Sequence, residues 1–78
     1  MKRPQPKRIA EKLLAIRQHL ALSQTEMKEQ LQSVGHYGRI SEYELGRRVP
    51  TILTLLGYAR AAKVPLEHIV DDEIELKF

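Results

Sequence analysis

The segment GRISEYELGRR, Gly38–Arg48, carries three arginines and two glutamates in eleven residues. Arginine's planar fork of N–H donors matches phosphate oxygens and the guanine edge, so this density points toward a polyanion. Glu42 and Glu44 would repel that partner unless each faces elsewhere or is neutralised by a neighbour. The remaining residue types are poorly arranged for catalysis. His19, His36 and His68 fall on three separate elements, with no carboxylate or cysteine at metal-ligand spacing, and read as surface or capping histidines. Glu42 and Glu44 diverge, and Asp71 and Asp72 lie in an acidic run, so no carboxylate pair is set for acid–base work. Ser23 has a capping role, and there is no Gly-rich phosphate loop. Cysteine is absent, which removes disulfides, thiolate zinc sites and a thiol nucleophile. The expectation is no catalysis, no metal, no cofactor and no small-molecule ligand.

The formal net charge of +3 conceals an asymmetry. Residues 1–66 hold twelve Lys/Arg against five Asp/Glu, whereas residues 67–78 hold five Asp/Glu against Lys77. A basic body with an acidic end favours a polyanionic partner for the body, the alternative being a merely soluble basic protein. A chain of 78 residues makes one small domain, which buries only about 60 % of the surface its unfolded form exposes. Such a core leaves no room for an enclosed active site beside a separate binding domain. The longest apolar stretch, ILTLLGYA, is interrupted by Thr54 and Gly57 and is too short to span a bilayer. MKRPQPKRIA has positive charges without a following apolar run, so no secretory signal and no membrane partner are expected, and the default compartment is cytoplasmic.

These side chains need elements to position them. Pro4 and Pro6 bar a helix in KRPQPKR, so residues 1–8 read as a flexible basic arm. Ile9, Leu13, Ile16 and Leu20 recur at helical spacing and predict a first helix over about 7–20. SQTE, Ser23–Glu26, is a capping box, with Ser23 as N-cap and Glu26 reaching back to its backbone. The second helix runs from there to about Leu31 and turns Met27 and Leu31 inward. QSVG ends it, and Gly35 and Gly38 mark the following turn. A third helix is predicted over about 37–45, stopped by Gly46. Pro50 blocks continuation, and Thr51 caps a fourth helix, Ile52 to about Ala62, that offers Ile52, Leu55, Leu56 and Ala59 to the core. VPLEHIV predicts a short fifth helix, Pro65–Val70. In the acidic tail, residues 71–78, Ile74, Leu76 and Phe78 alternate with polar residues, which is a strand period. The fold class is all-α with five helices, and the tail pattern allows a short C-terminal strand.

On a wheel of about 100° per residue with Ile40 at zero, Glu44 lies near +40° and Tyr43 near −60°, toward the core. Gly38 and Glu42 lie near 180°, with Arg39 and Ser41 on the flanks. The two glutamates therefore point in opposite directions. Glu44 faces the domain. Glu42 faces outward, where it either accepts a hydrogen bond from cytosine N4 or pairs with Arg39 at i, i+3 or with another nearby arginine.

Two short helices joined by a tight turn suit a helix-turn-helix. The ordered set of Ser23-Gln24, Ile40, Glu44 and Gly46 with a basic residue after it, then PTILTLLGYARAAKVPLEHIV, resembles the phage-repressor/Cro (Xre) DNA-binding family. The resemblance covers Ile9–Val70. This chain departs from it by about two additional residues between Leu31 and Ile40, within QSVGHYG, which leaves open where the recognition helix starts and how His36 and Tyr37 align. The resemblance implies a repressor-like helix-turn-helix domain over residues 9–70, whose third helix enters the major groove of double-stranded DNA. It implies that Glu44 pairs with Arg17, late in the first helix, and that Arg47 and Arg48 contact phosphates. Gln24, at the positive end of the second helix, also suits a phosphate. Arg39 either reads guanine O6/N7 or holds a phosphate. Ser41 and Gly38 permit close approach to base edges, and Tyr37 either stacks on the sugar-phosphate or caps the core. Lys2, Arg3, Lys7 and Arg8 of the arm either wrap the duplex or contribute charge alone.

The function this implies is a sequence-specific DNA-binding transcriptional regulator, a repressor, acting as a homodimer on half-sites about 34 Å apart. The alternative is a protein-interaction adaptor or antitoxin on the same fold. Outward Leu45 and Leu53 and the Ile74/Leu76/Phe78 face favour it, unless Leu45 meets a thymine methyl and the arm covers Leu53. The tail either joins two copies across a two-fold axis, or folds onto its own fifth helix or frays.

Overall fold

The computed structural model describes residues 7–32 and 39–78. They form α1 (Ile9–His19), α2 (Gln24–Gln32), α3 (Ile40–Glu44), α4 (Ile52–Ala62) and α5 (Glu67–Val70), with no strand among the described residues. The fold is all-α. None of these helices is long and apolar enough to cross a membrane.

Local chemistry sets the helix ends. Glu26 N–H donates to Ser23 Oγ at 3.1 Å, and Ser23 N–H donates to Glu26 Oε1 at 2.8 Å, which completes the capping box. That backbone N–H holds the Glu26 carboxyl below its ordinary range. Thr51 Oγ1 accepts from Thr54 N–H at 3.3 Å and starts α4. At the end of α3, Arg47 N–H bonds Glu42 O at 2.9 Å and Gly46 N–H bonds Tyr43 O at 3.1 Å. Gly46 sits at φ +75°, a left-handed conformation that costs glycine little. The same bond pattern closes α1 and α4, but there Ala21 and Lys63 take the left-handed position, at φ 57° and 59°. Neither residue type announces such a turn.

α1 packs on α3, α4 and α5, while α2 packs on α3 and α4. Leu13, Ile16, Met27, Leu31, Tyr58 and Ile69 are fully enclosed, and burial of each such side chain contributes about 1.5–3 kcal/mol. Ile9, Leu13 and Ile16 face inward as their spacing predicts, with Leu20 partly buried beside them. The orientation of α4 differs from the expected one. Its inward stripe is Thr54, Leu55, Tyr58 and Ala59, whereas Ile52 is 65 % exposed and Leu56 only partly buried. Tyr58 fills the centre, and the buried Thr54 hydroxyl is satisfied by Thr51 Oγ1 at 3.1 Å. A face containing two hydroxyl-bearing residues is therefore the buried one.

The tail also departs from expectation. Residues 71–78 form no strand and fold back on α1. Asp72 accepts from the Lys7 and Arg8 backbone N–H groups at 2.8 and 3.0 Å, so it caps the start of α1 from the far end of the chain. Arg8 places both Nη atoms on the Glu75 carboxylate at 2.8 Å, and its Nε on Glu11 at 3.0 Å. The Lys7 N–H holds the Asp72 carboxyl below its ordinary range, and the Arg8 guanidinium does the same for Glu75. Lys12, only 2 % exposed, donates through Nζ to the carbonyls of His68, Asp71 and Ile74 at 2.8, 2.7 and 2.7 Å. Phe78 stacks on His19, with ring centroids 4.0 Å apart. This clasp stands where the alternation of the tail allows a strand. Arg8, just before α1, and Lys12, in its first turn, hold the tail instead. Arg8, read as part of the arm, is thereby committed to carboxylates.

Candidate nucleic-acid interface

Glu44 ties three helices together. Its Oε2 accepts from Arg17 Nε at 2.6 Å, and its Oε1 accepts from Arg17 Nη2 at 3.0 Å and Gln24 Nε2 at 3.1 Å. Arg17 also donates to Leu22 O at 3.0 Å, which fixes the α1–α2 turn. The Arg17 and Glu44 side chains are 18 % and 7 % exposed, so this bidentate pair is shielded from solvent screening. Its hydrogen bonds to Glu44 raise the pKa of Arg17. The pair fixes the roll of α3 against α1, with Ile40 and Tyr43 buried beneath it.

Glu42, two residues earlier, is held differently. Its Oε2 lies 3.3 Å from Arg48 Nε and 3.5 Å from Arg39 Nη1, and these side chains are 37 %, 53 % and 62 % exposed respectively. These distances are too long for strong charge-assisted hydrogen bonds, and Oε2 accepts none among the described residues although it is closed to solvent. Glu42 thus lies at ion-pair distance from both neighbouring arginines, at i−3 and i+6.

α3 is shorter than predicted. It begins at Ile40, and Arg39 is its N-cap in non-helical backbone, at φ −105° and ψ 70°. Arg39 thus projects from the helix end, since its backbone does not follow the wheel. Tyr37, Gly38 and the segment with the additional residues lie outside the described residues, as do Lys2 and Arg3.

Between the starts of α2 and α3 lies an open cleft of about 430 Å³, bordered by Gln24, Thr25, Lys28, Arg39, Ser41 and Glu42. Thr25 and Lys28 were not singled out from the sequence. Lys28 follows Gln24 by four residues, so helical spacing alone puts it on the same face. Arg48 joins this group through its contact with Glu42. Arg47 is exposed, but its backbone N–H is engaged by Glu42 O, so any phosphate contact must come from its side chain. The cleft is rich in donors: two cationic side chains, an amide and two hydroxyls against one carboxylate. That balance suits an anion with several acceptor oxygens beside a hydrogen-bonding edge. Leu45, Val49, Ile52 and Leu53 are exposed on the C-cap of α3, the following loop and the start of α4. Among the described residues, no group of three or more His, Cys, Asp or Glu is placed to hold a metal ion.

No family model matches the sequence, and no curated protein or solved structure matches the chain.

Proposed function

We propose that the protein is a sequence-specific double-stranded DNA-binding regulator, a transcriptional repressor, built on a repressor-like helix-turn-helix of α2 and α3. The observation that carries this reading is the gathering of Lys28 and Arg39 with Gln24, Thr25 and Ser41 around one cleft, with Arg48 beside it on Glu42. In this mechanism α3 enters the major groove. Arg39 and Ser41 approach base edges, and Leu45 meets a thymine methyl. Gln24 and Lys28 hold phosphates on one side of the groove, and Arg47 and Arg48 on the other. Glu44 does not oppose the DNA, because its charge is neutralised within the domain. Two copies would read half-sites about 34 Å apart.

The test is a titration of binding to random and selected duplexes across salt concentration. A steep fall of affinity with salt supports the reading. Arg39→Ala should relax preference at one position, while Arg47→Ala weakens all duplexes alike and lowers the salt slope by about 1. Absence of binding at low salt refutes it. That outcome would favour a second reading, an adaptor or antitoxin that meets a protein through exposed Leu45, Val49, Ile52 and Leu53.

A further inference from the structure

Glu42 and Glu44 stand two residues apart on α3, and each contacts arginine, yet they differ in every physical respect. Glu44 receives three hydrogen bonds in a shielded site. Glu42 Oε2 sits between two largely exposed guanidiniums, at ion-pair distance from both and hydrogen-bonded to neither. Ion pairs to arginines this exposed contribute little to folding. An α3 designed only to attract phosphates would have no use for a carboxylate at this point. A carboxylate oxygen between two guanidiniums occupies the place that a phosphate oxygen would take.

We infer that Glu42 is an internal competitor for phosphate, whose charge offsets Arg39 and Arg48 until a correctly docked duplex displaces it. The inference rests on the DNA-binding reading and adds a specificity-determining role for a residue that acts through others. On any duplex, a phosphate drawn to Arg39 or Arg48 meets the Glu42 charge beside them, whichever of the guanidinium donors it uses. Non-specific binding, which is almost wholly phosphate attraction, bears the whole of this penalty. Specific binding offsets it, because Arg39 gains base contacts and Glu42 Oε2 can accept its missing hydrogen bond from a cytosine N4 amine. Glu42 therefore lowers affinity for all DNA but lowers it most for the wrong DNA. The selectivity comes from repulsion of the wrong partner as much as attraction of the right one.

The experiment compares the native protein with Glu42→Gln, which keeps size and removes charge, and with Glu42→Asp, which keeps charge. On a random duplex, Glu42→Gln should bind roughly 10-fold tighter at low salt, with a log–log salt slope steeper by about 1. Its ratio of selected to random affinity should fall, while Glu42→Asp stays near native. A native protein that binds duplex, with a Glu42→Gln variant of unchanged affinity and slope, overturns the inference and leaves the DNA-binding reading standing. A Glu42→Asp variant as steep in salt as Glu42→Gln also overturns it, because charge would then not be the cause. A second arm needs no DNA: the Nε–Hε resonances of Arg39 and Arg48 are followed while inorganic phosphate is added. In Glu42→Gln the Arg48 signal should move from its native position and respond to phosphate at concentrations that leave the native protein unchanged. Identical responses in the two proteins would overturn the competitor role, whatever the DNA titration shows.

Discussion

Lys12→Met tests whether the acidic tail is an integral part of the fold. Lys12 is 2 % exposed and donates to three backbone carbonyls, those of His68, Asp71 and Ile74, within 2.8 Å. A hydrogen bond to a charged group contributes about 1.5–3 kcal/mol, so the three have a gross worth of roughly 4.5–9 kcal/mol. Burial of an ammonium costs several kcal/mol, which methionine avoids, and the orphaned carbonyls can turn to water as the tail loosens. The net loss should be about 2–4 kcal/mol, from a total near 4–12 kcal/mol for a domain of this size. At about 4–8 °C per kcal/mol, the melting temperature should fall by roughly 10–30 °C. Urea denaturation followed by circular dichroism measures the free energy, and amide exchange at Asp71 and Ile74 localises the change to the tail. Lys28→Met on exposed α2 serves as control and should stay within about 0.5 kcal/mol. If Lys12→Met costs no more than that control, the ammonium does not organise the tail and the clasp is an incidental contact.

The Arg17–Glu44 pair should show a coupling of about 1–3 kcal/mol in a double-mutant cycle on thermal stability, and zero coupling would remove it as the lock between α1 and α3. Asp72 and Glu75 have lowered pKa values in the folded state, so the unfolded chain takes up protons first as pH falls. Their stabilising effect is complete above the unfolded carboxyl range, about 3.9–4.3, and is lost as pH drops through the folded values below it. Asp72→Asn with Glu75→Gln should flatten that acid limb of stability, and an unaltered limb would place its origin elsewhere. Deletion of Glu73–Phe78 should lower the melting temperature without changing molar mass in light scattering. A fall in mass would return the tail to an intermolecular role. Tyr58 is fully buried, burial raises its pKa, and its hydroxyl has no hydrogen-bond partner among the described residues. Tyr58→Phe should hold stability or raise it by up to about 1 kcal/mol, and a loss beyond about 1 kcal/mol would show that the hydroxyl is bonded.

The sequence by itself determined the features that depend on neighbours along the chain. Ser23 and Glu26, Thr51, Gly46 and the Ile9/Leu13/Ile16 spacing locate caps, a stop and an apolar face within one or two turns of backbone. Their expected and observed positions agree for that reason. The opposed directions of Glu42 and Glu44 were likewise legible, because a helix fixes the angle between residues two apart. The Arg17–Glu44 pair came from family resemblance, since no local rule links positions on different helices. The tertiary structure decided what depends on contacts distant in sequence. Alternation in the tail reads as a strand only while Arg8 and Lys12 are ignored, and nothing local shows that they lie against residues 68–75. The roll of α4 depends on tertiary contacts because Thr54 and Tyr58 count as polar until their surroundings are known. Lys12 was illegible for the same reason: a lysine is normally left in water, and only three converging carbonyls from the other end of the chain make its burial favourable.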